Sequence, residues 1–293
     1  MLILPKFVYY EPGDMSEACK IMSDLNGNAK IIAGGTDILV NMKKGLLSPG
    51  YLVSISKVSE LSEIGPVNGS ISIGARLIVA KLTEFDIIRK KLPSLAKAAG
   101  VLGSPLIRNR ATIGGNIVTA RPAADLPPPL LAMGAKVKLE STKGVRDVAL
   151  DDFFLGPGVT VMRPDEILSM IVVDELPPFT GSDYIKLGHR KSLEIAIVAV
   201  ASRITLNAPD GEIKDAKIIL SSVAPTAIHA ISAEKILIGE KPTGALLEKA
   251  ARLAGTDCTP ITDIRGGAGY RCAMVEVLTK RTLSAALKEA RGK

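Results

Sequence analysis

The sequence predicts a mixed α+β protein of two or three domains, and three observations predict it. Apolar stretches of strand length alternate with stretches whose apolar residues recur at helical spacings of three and four. At 293 residues the chain is long enough for more than one buried core. Two strand-like stretches run into paired glycines, Gly34-Gly35 and Gly114-Gly115. Without a Cβ, such a pair lets the backbone turn sharply and approach another molecule closely.

Residues 1–56 read as β-α-β-α-β. Phe7-Val8-Tyr9-Tyr10 is a strand, and Glu11-Pro12-Gly13-Asp14 turns into a helix whose apolar face is Met15, Ala18, Cys19, Met22 and Leu25. Asn26-Gly27-Asn28 ends that helix. Ile31-Ile32-Ala33 is the next strand and leads into the first glycine pair. A helix over residues 37–44 stops at Gly45, and residues 51–55 form a third strand.

Residues 57–176 form a second unit. Asn68-Gly69 followed by the alternation Ser70-Ile71-Ser72-Ile73 is a hairpin signal. Thr83 is placed to cap a helix over 84–91, and Pro93-Ser94 starts another. From Leu102 the chain approaches the second glycine pair, where β-branched residues on both sides, Thr112-Ile113 and Ile117-Val118, predict a tight turn between strands. Pro127-Pro128-Pro129 starts a helix rather than dividing domains, because proline suits first-turn positions. An alternating strand over 136–139, a loop over 153–158 and a strand over 166–173 complete the unit.

Residues 177–293 open at Pro177-Pro178. An alternating run over 196–201 is joined through the turn Asn207-Ala208-Pro209-Asp210-Gly211 to a strand over 216–220. Two helices follow, and Asp263-Ile264-Arg265-Gly266-Gly267-Ala268-Gly269-Tyr270-Arg271 leads into a last one, a segment read as helix entry and packing.

Composition narrows the function. Hydrophobic content of 47% and charged content of 23% are those of an ordinary globular protein. No apolar run approaches the roughly eighteen residues of a membrane span, and the N-terminus lacks a basic region followed by a cleavable apolar core, so the cytoplasm is the expected compartment. Three cysteines, far apart and odd in number, argue against a disulfide framework and are too few for an iron–sulfur cluster. His189 and His229 cannot make a metal site alone. A net charge of +7 with no tryptophan and 3% aromatics gives no stacking platform for nucleic acid. It suits an anionic cofactor or an acidic partner surface instead.

The chemistry gathers at the glycine pairs. Ile31-Ile32-Ala33-Gly34-Gly35-Thr36-Asp37 puts a polar cap before a helix, whose first N–H groups favour an anion. Around Thr112-Ile113-Gly114-Gly115-Asn116, successive N–H groups in a glycine turn can point into one concavity that suits phosphate oxygens. Two such loops suggest a grip on one diphosphate, and Asp125 suits a hydroxyl or amine better than an anion. Neither loop is a Rossmann G-x-G-x-x-G or a P-loop G-K-[ST].

These residues resemble the FAD-binding medium subunits of molybdenum hydroxylases, such as carbon monoxide and xanthine dehydrogenases. Those chains carry A-G-G-T/H-D/S and T-I-G-G-N, followed by x-P-x-x-D. Ala33–Asp37, Thr112–Asn116 and Asp125 match that pattern, and the segment from Asp263 to Arg271 resembles the family's D-x-R-G-x-A-x-Y-R. The resemblance implies a vanillyl-alcohol-oxidase-like (PCMH-type) two-part FAD-binding fold plus a C-terminal domain of antiparallel sheet and helices. It implies FAD bound across Ile31 to Asp37, Leu102, Thr112 to Asn116, Asp125, a backbone group at Leu168, and Lys186. The FAD is expected to be non-covalent, because residues 31–40 offer no histidine or cysteine for attachment.

Three positions depart from the family pattern: Leu106 where glutamine is frequent, Arg121 where a small or uncharged residue stands, and Glu194 where an aspartate is usual. Arg121 either adds charge at the site or decorates its rim, and the rim is the favoured reading. The implied function is an electron relay between [2Fe-2S] clusters on a small subunit and an external acceptor. A molybdopterin large subunit oxidises the substrate, in a dimer of heterotrimers, and this chain carries no catalytic residue of its own. The alternatives are a stand-alone FAD-dependent oxidase or reductase of the same fold and a basic nucleotide-binding module without enzymatic activity.

Overall fold

The structure is a computed structural model that describes residues 3–190 and 192–292. Its elements fall into three main sheets in chain order, each with its own helices, and one two-stranded ribbon.

The first sheet is parallel, with strands β1 (Val8–Tyr10), β2 (Ala29–Ile32) and β3 (Tyr51–Ser54) in the order β1-β3-β2. Helices α1 (Met15–Asp24) and α2 (Ile38–Lys43) make the crossovers. Asp14 caps α1 by accepting from the Glu17 amide, while Glu17 reaches back to the Gly13 amide. This reciprocal box satisfies two orphan donors. Ala18, Cys19 and Met22 pack with Val53 and Ile167, which seats this small unit on the next one.

The second unit contains β4 (Ile64–Val67), β5 (Ser70–Gly74), α3 (Val79–Leu82), α4 (Asp86–Lys91), α5 (Pro93–Val101), α6 (Pro105–Arg108), α7 (Ile113–Val118), α8 (Pro127–Ala132), β6 (Lys136–Ser141), β7 (Gly144–Ala149), β8 (Phe154–Gly156), β9 (Val159–Thr160) and β10 (Ile167–Asp174). Its main sheet is antiparallel in the order β4-β5-β10-β6-β7. Asn68 and Gly69 both have positive φ, as the hairpin signal requires. The three prolines do open α8. The loop expected over 153–158 carries the short β8–β9 pair instead.

The third unit has β11 (Thr180–Leu187), β12 (Val198–Leu206), β13 (Ile213–Ser221), β14 (Ile228–His229), α9 (Ile231–Leu237), α10 (Gly244–Thr256) and α11 (Ala268–Ala290). Its antiparallel sheet is buried on both faces, which explains the apolar character of β12. Ala199 and Ala201 belong to the core shared with the second unit, whereas Val198 and Val200 pack under the C-terminal helices. The small residues face α8, the large ones α11. No helix among the described residues is long and apolar enough to cross a membrane.

Candidate cofactor site

A cavity of about 930 Å³ opens where the three units meet. That is the size range of small-molecule and cofactor pockets.

The first glycine pair forms one wall. Gly34 passes so close to the second unit that a Cβ would lie 1.9 Å from the Arg110 carbonyl oxygen. Gly35 has φ +73°, where an L side chain is strained. Asp37 occupies the N-cap of α2, yet its side chain makes no cap bond. The amides of Gly34, Gly35, Thr36 and Asp37 donate to no protein acceptor among the described residues. They are a set of available donors in the cavity lining, to which Lys44 also belongs.

The second glycine pair departs from the expected strand turn. Residues 113–118 are helix α7, capped by Thr112, whose Oγ1 accepts from the Gly115 amide at 3.1 Å. Ile113 and Ile117, four residues apart, are both fully buried, and that burial overrides the strand preference of β-branched residues. Every amide from Ile113 to Asn116 has a protein acceptor: Leu77, Ala75, Thr112 Oγ1 and the Thr112 carbonyl in turn. Gly114 is glycine for packing, since a Cβ there would meet Ala75 at 2.7 Å. The Asn116 side chain accepts from the Leu126 amide and so fixes the loop that carries Asp125.

Asp125 ties this wall to the third unit. Its carboxylate accepts from Tyr184 Oη at 3.0 Å and from Lys186 Nζ at 2.9 Å. Burial raises the Asp125 pKa, and the Lys186 and Tyr184 hydrogen bonds oppose that shift. Burial, with Asp125 beside it, likewise pushes the Tyr184 phenol well above its usual value. The expected preference of Asp125 for an amine or hydroxyl is therefore met from within the chain.

Arg271 anchors the far wall. It is 1% exposed and donates to the carbonyls of Ile197 and Ser222 and to Asp263. Asp263 also receives Arg265, and the two guanidiniums hold its carboxyl far below the usual range. The segment before α11 is thus helix entry and packing, as its sequence suggested, and it shapes the cavity as well.

Of the residues expected at the site, Ile31, Ala33, Gly34, Gly35, Thr36, Asp37, Leu102, Thr112, Gly115, Asn116 and Asp125 line this one cavity. Ile32, Ile113, Gly114, Leu168 and Lys186 do not line it. Leu168 lies in β10 at a register irregularity, its side chain in the second core. Lys186 stands behind Asp125 with its side chain only 7% exposed. Arg121 lines the cavity with an exposed side chain. Glu194 lines the cavity and is held by Arg190, whose hydrogen bond lowers its pKa. Lys44, Thr119 and Thr259 are lining residues that sequence reasoning missed, and only position in the fold brings them there.

The fold and the cavity define a cofactor-holding α+β protein. Residues 5–175 match the family described as the FAD binding domain in molybdopterin dehydrogenase, and residues 183–286 match the CO dehydrogenase flavoprotein C-terminal domain. The chain belongs to the family of FAD-binding medium subunits of molybdenum hydroxylases, which are oxidoreductases.

It is 34% identical to the carbon monoxide dehydrogenase medium chain of Hydrogenophaga pseudoflava, over 97% of this chain and 98% of that one. It is 30% identical to the xanthine dehydrogenase FAD-binding subunit of Escherichia coli O157:H7, over 97% of each. The crystal structure of quinoline 2-oxidoreductase from Pseudomonas putida 86 superposes with a TM-score of 0.91 at 29% identity, covering 99% of each chain.

Proposed function

We propose that this chain is the electron-relay subunit of a molybdenum hydroxylase. In this reading it holds FAD non-covalently between an iron–sulfur small subunit with [2Fe-2S] clusters and an external acceptor. A molybdopterin large subunit oxidises the substrate, and the set doubles into a dimer of heterotrimers in the cytoplasm. Its domains are residues 1–56, 57–176 and 177–293.

The observation that carries the proposal is the row of unspent amides at Gly34–Asp37, on a cavity shared by all three units. Backbone donors without a protein acceptor, with Lys44 and Arg121 lining the same cavity, fit the two charges of a pyrophosphate. The second glycine segment contributes chiefly shape, through Thr112, Gly115 and Asn116. Apolar lining from Ile31, Leu102, Ile107 and Val118 fits a flat ring system. Bound FAD supplies one- and two-electron redox chemistry, and the chain supplies position and electrostatics. Because Lys186 is neutralised by Asp125, positive charge near the cofactor comes from Arg121 and Lys44 instead.

The cavity mouth also fits a docking role. Ile195 and Ile261 line it while 57% and 67% exposed, and Ile264, close to Ile261 in sequence, is fully exposed. Large apolar side chains grouped at one mouth mark a contact surface.

The test is anaerobic. Coexpressed with its large and small subunits, the chain should yield one complex whose flavin absorbance bleaches on adding the large subunit's substrate. The isolated chain should bind FAD and stay oxidised with that substrate. Rapid bleaching of the isolated flavin would replace the relay with a stand-alone oxidase.

A further inference from the structure

The cysteines, widely spaced in sequence, do not stay apart. Cys258 and Cys272 have their sulfurs 3.1 Å apart, while Cys19 lies on the buried face of α1, in a different core. Cys258 follows the end of α10, and Cys272 sits in the first turns of α11. A disulfide needs the sulfurs at about 2.05 Å with Cβ atoms about 3.8 Å apart. A closure of roughly 1 Å between the sulfurs separates the thiols from that bond.

The segment between the two cysteines is cavity wall. Thr259, Ile261, Arg265 and Arg271 all line the cavity, and Thr259 is held by the hydrogen bond its backbone N–H donates to the Val223 carbonyl. Crosslinking the two ends would close this wall segment into a short covalent loop.

We propose that Cys258 and Cys272 are a reversible dithiol/disulfide site that staples the wall segment between them. The oxidant is a low-molecular-weight disulfide, and the exchange balances as two protein thiols plus one RSSR giving one protein disulfide plus two RSH. The partly exposed Cys272 attacks first and releases the first RSH. The buried Cys258 then attacks the Cys272 sulfur of the mixed disulfide, loses its proton to solvent base, and expels the second RSH. This order follows from access. Burial and the neighbouring Cys272 push Cys258 up to about 12, so it is a poor nucleophile toward an outside reagent but is already in place for the second step.

The experiment uses the full chain, equilibrated across glutathione disulfide/glutathione ratios, quenched in acid, alkylated and digested for mass spectrometry. The expected product is a Cys258–Cys272 crosslinked peptide pair lighter by two hydrogens, with Cys19 still alkylated. Reduction should restore both thiols, and the oxidised chain should unfold at higher urea than the reduced one. Cys258→Ser should stop at the Cys272–glutathione mixed disulfide. Two outcomes overturn the proposal. In one, both thiols of the folded wild-type chain remain alkylatable at the most oxidising ratio. In the other, Cys258 or Cys272 crosslinks to Cys19 instead. Both measurements are made on the wild-type chain, so a poorly folding variant does not obscure them.

Discussion

At the scale of single residues, Asp125 and Lys186 carry the sharpest prediction. Each side chain is 7% exposed, so each charge depends on the other for its solvation. Removing one partner of such a pair costs about 3–5 kcal/mol, whereas replacing both with apolar groups of similar volume is close to neutral. Lys186→Ala should therefore lower the urea midpoint markedly, and Asp125→Leu combined with Lys186→Met should recover most of the loss. Equal loss in the single and double variants would show that the pair does not act as a unit. Gly34 gives a second test. An alanine there would drive its Cβ into the Arg110 carbonyl, and overpacking of this kind costs about 1–3 kcal/mol. Gly34→Ala should purify with less flavin and unfold earlier than wild type, while Gly45→Ala, with positive φ but open space around it, should lose stability and keep its flavin. The residues of this site were legible one by one because glycine pairs, caps and carboxylates are local signals. Partners were not legible. The sequence of Asp125 says that it wants a donor, but only the fold reveals that Tyr184 and Lys186 already satisfy it.

At the scale of elements, strands and helices with a strong period were readable, and the exceptions have identifiable causes. The Asn68-Gly69 hairpin and the proline-started α8 follow from backbone preferences that tertiary contacts do not overturn. Helix α7 departs from the expected strand turn because Ile113, Ile117 and Val118 favour strands locally, while the i, i+4 burial of the two isoleucines favours a helix in context. The available signal was the cap, with Thr112 three residues before Gly115. The joint between β12, β13 and α11 depends on Arg271, which no periodicity reveals. Arg271→Leu leaves the carbonyls of Ile197 and Ser222 without that donor and Asp263 without its buried partner. The expected loss is about 3–5 kcal/mol by chemical denaturation, and Arg271→Lys should recover only part of it because lysine lacks the guanidinium fork.

At the scale of the whole molecule, the second and third units are joined by polar ties as well as by the shared core. His229 places Nε2 2.8 Å from Asp151 and Nδ1 2.8 Å from Glu234, so both ring nitrogens face carboxylates and both must carry hydrogen. These bonds raise its pKa from 6.5 to about 9, against the opposing effect of burial. The pKa is higher in the fold than in the unfolded chain, so the contribution is complete below pH 6.5 and drains away as pH rises through 9. With Asp151 half exposed, its size is about 2 kcal/mol. The wild-type melting temperature should exceed that of His229→Gln near pH 6, and the gap should shrink by pH 10. A constant gap would mean that His229 acts by packing alone.

The Asp125 contact with Tyr184 and Lys186 has a broader consequence for how such a protein is loaded. Its charges are balanced internally, so the cofactor is not needed as a counter-ion to close the walls. This side of the site should therefore stand as a finished wall before the occupant arrives. Chain synthesis and cofactor supply should then be separable in time, so the flavin-free chain should fold first and take up flavins of altered ring chemistry when they are added afterwards.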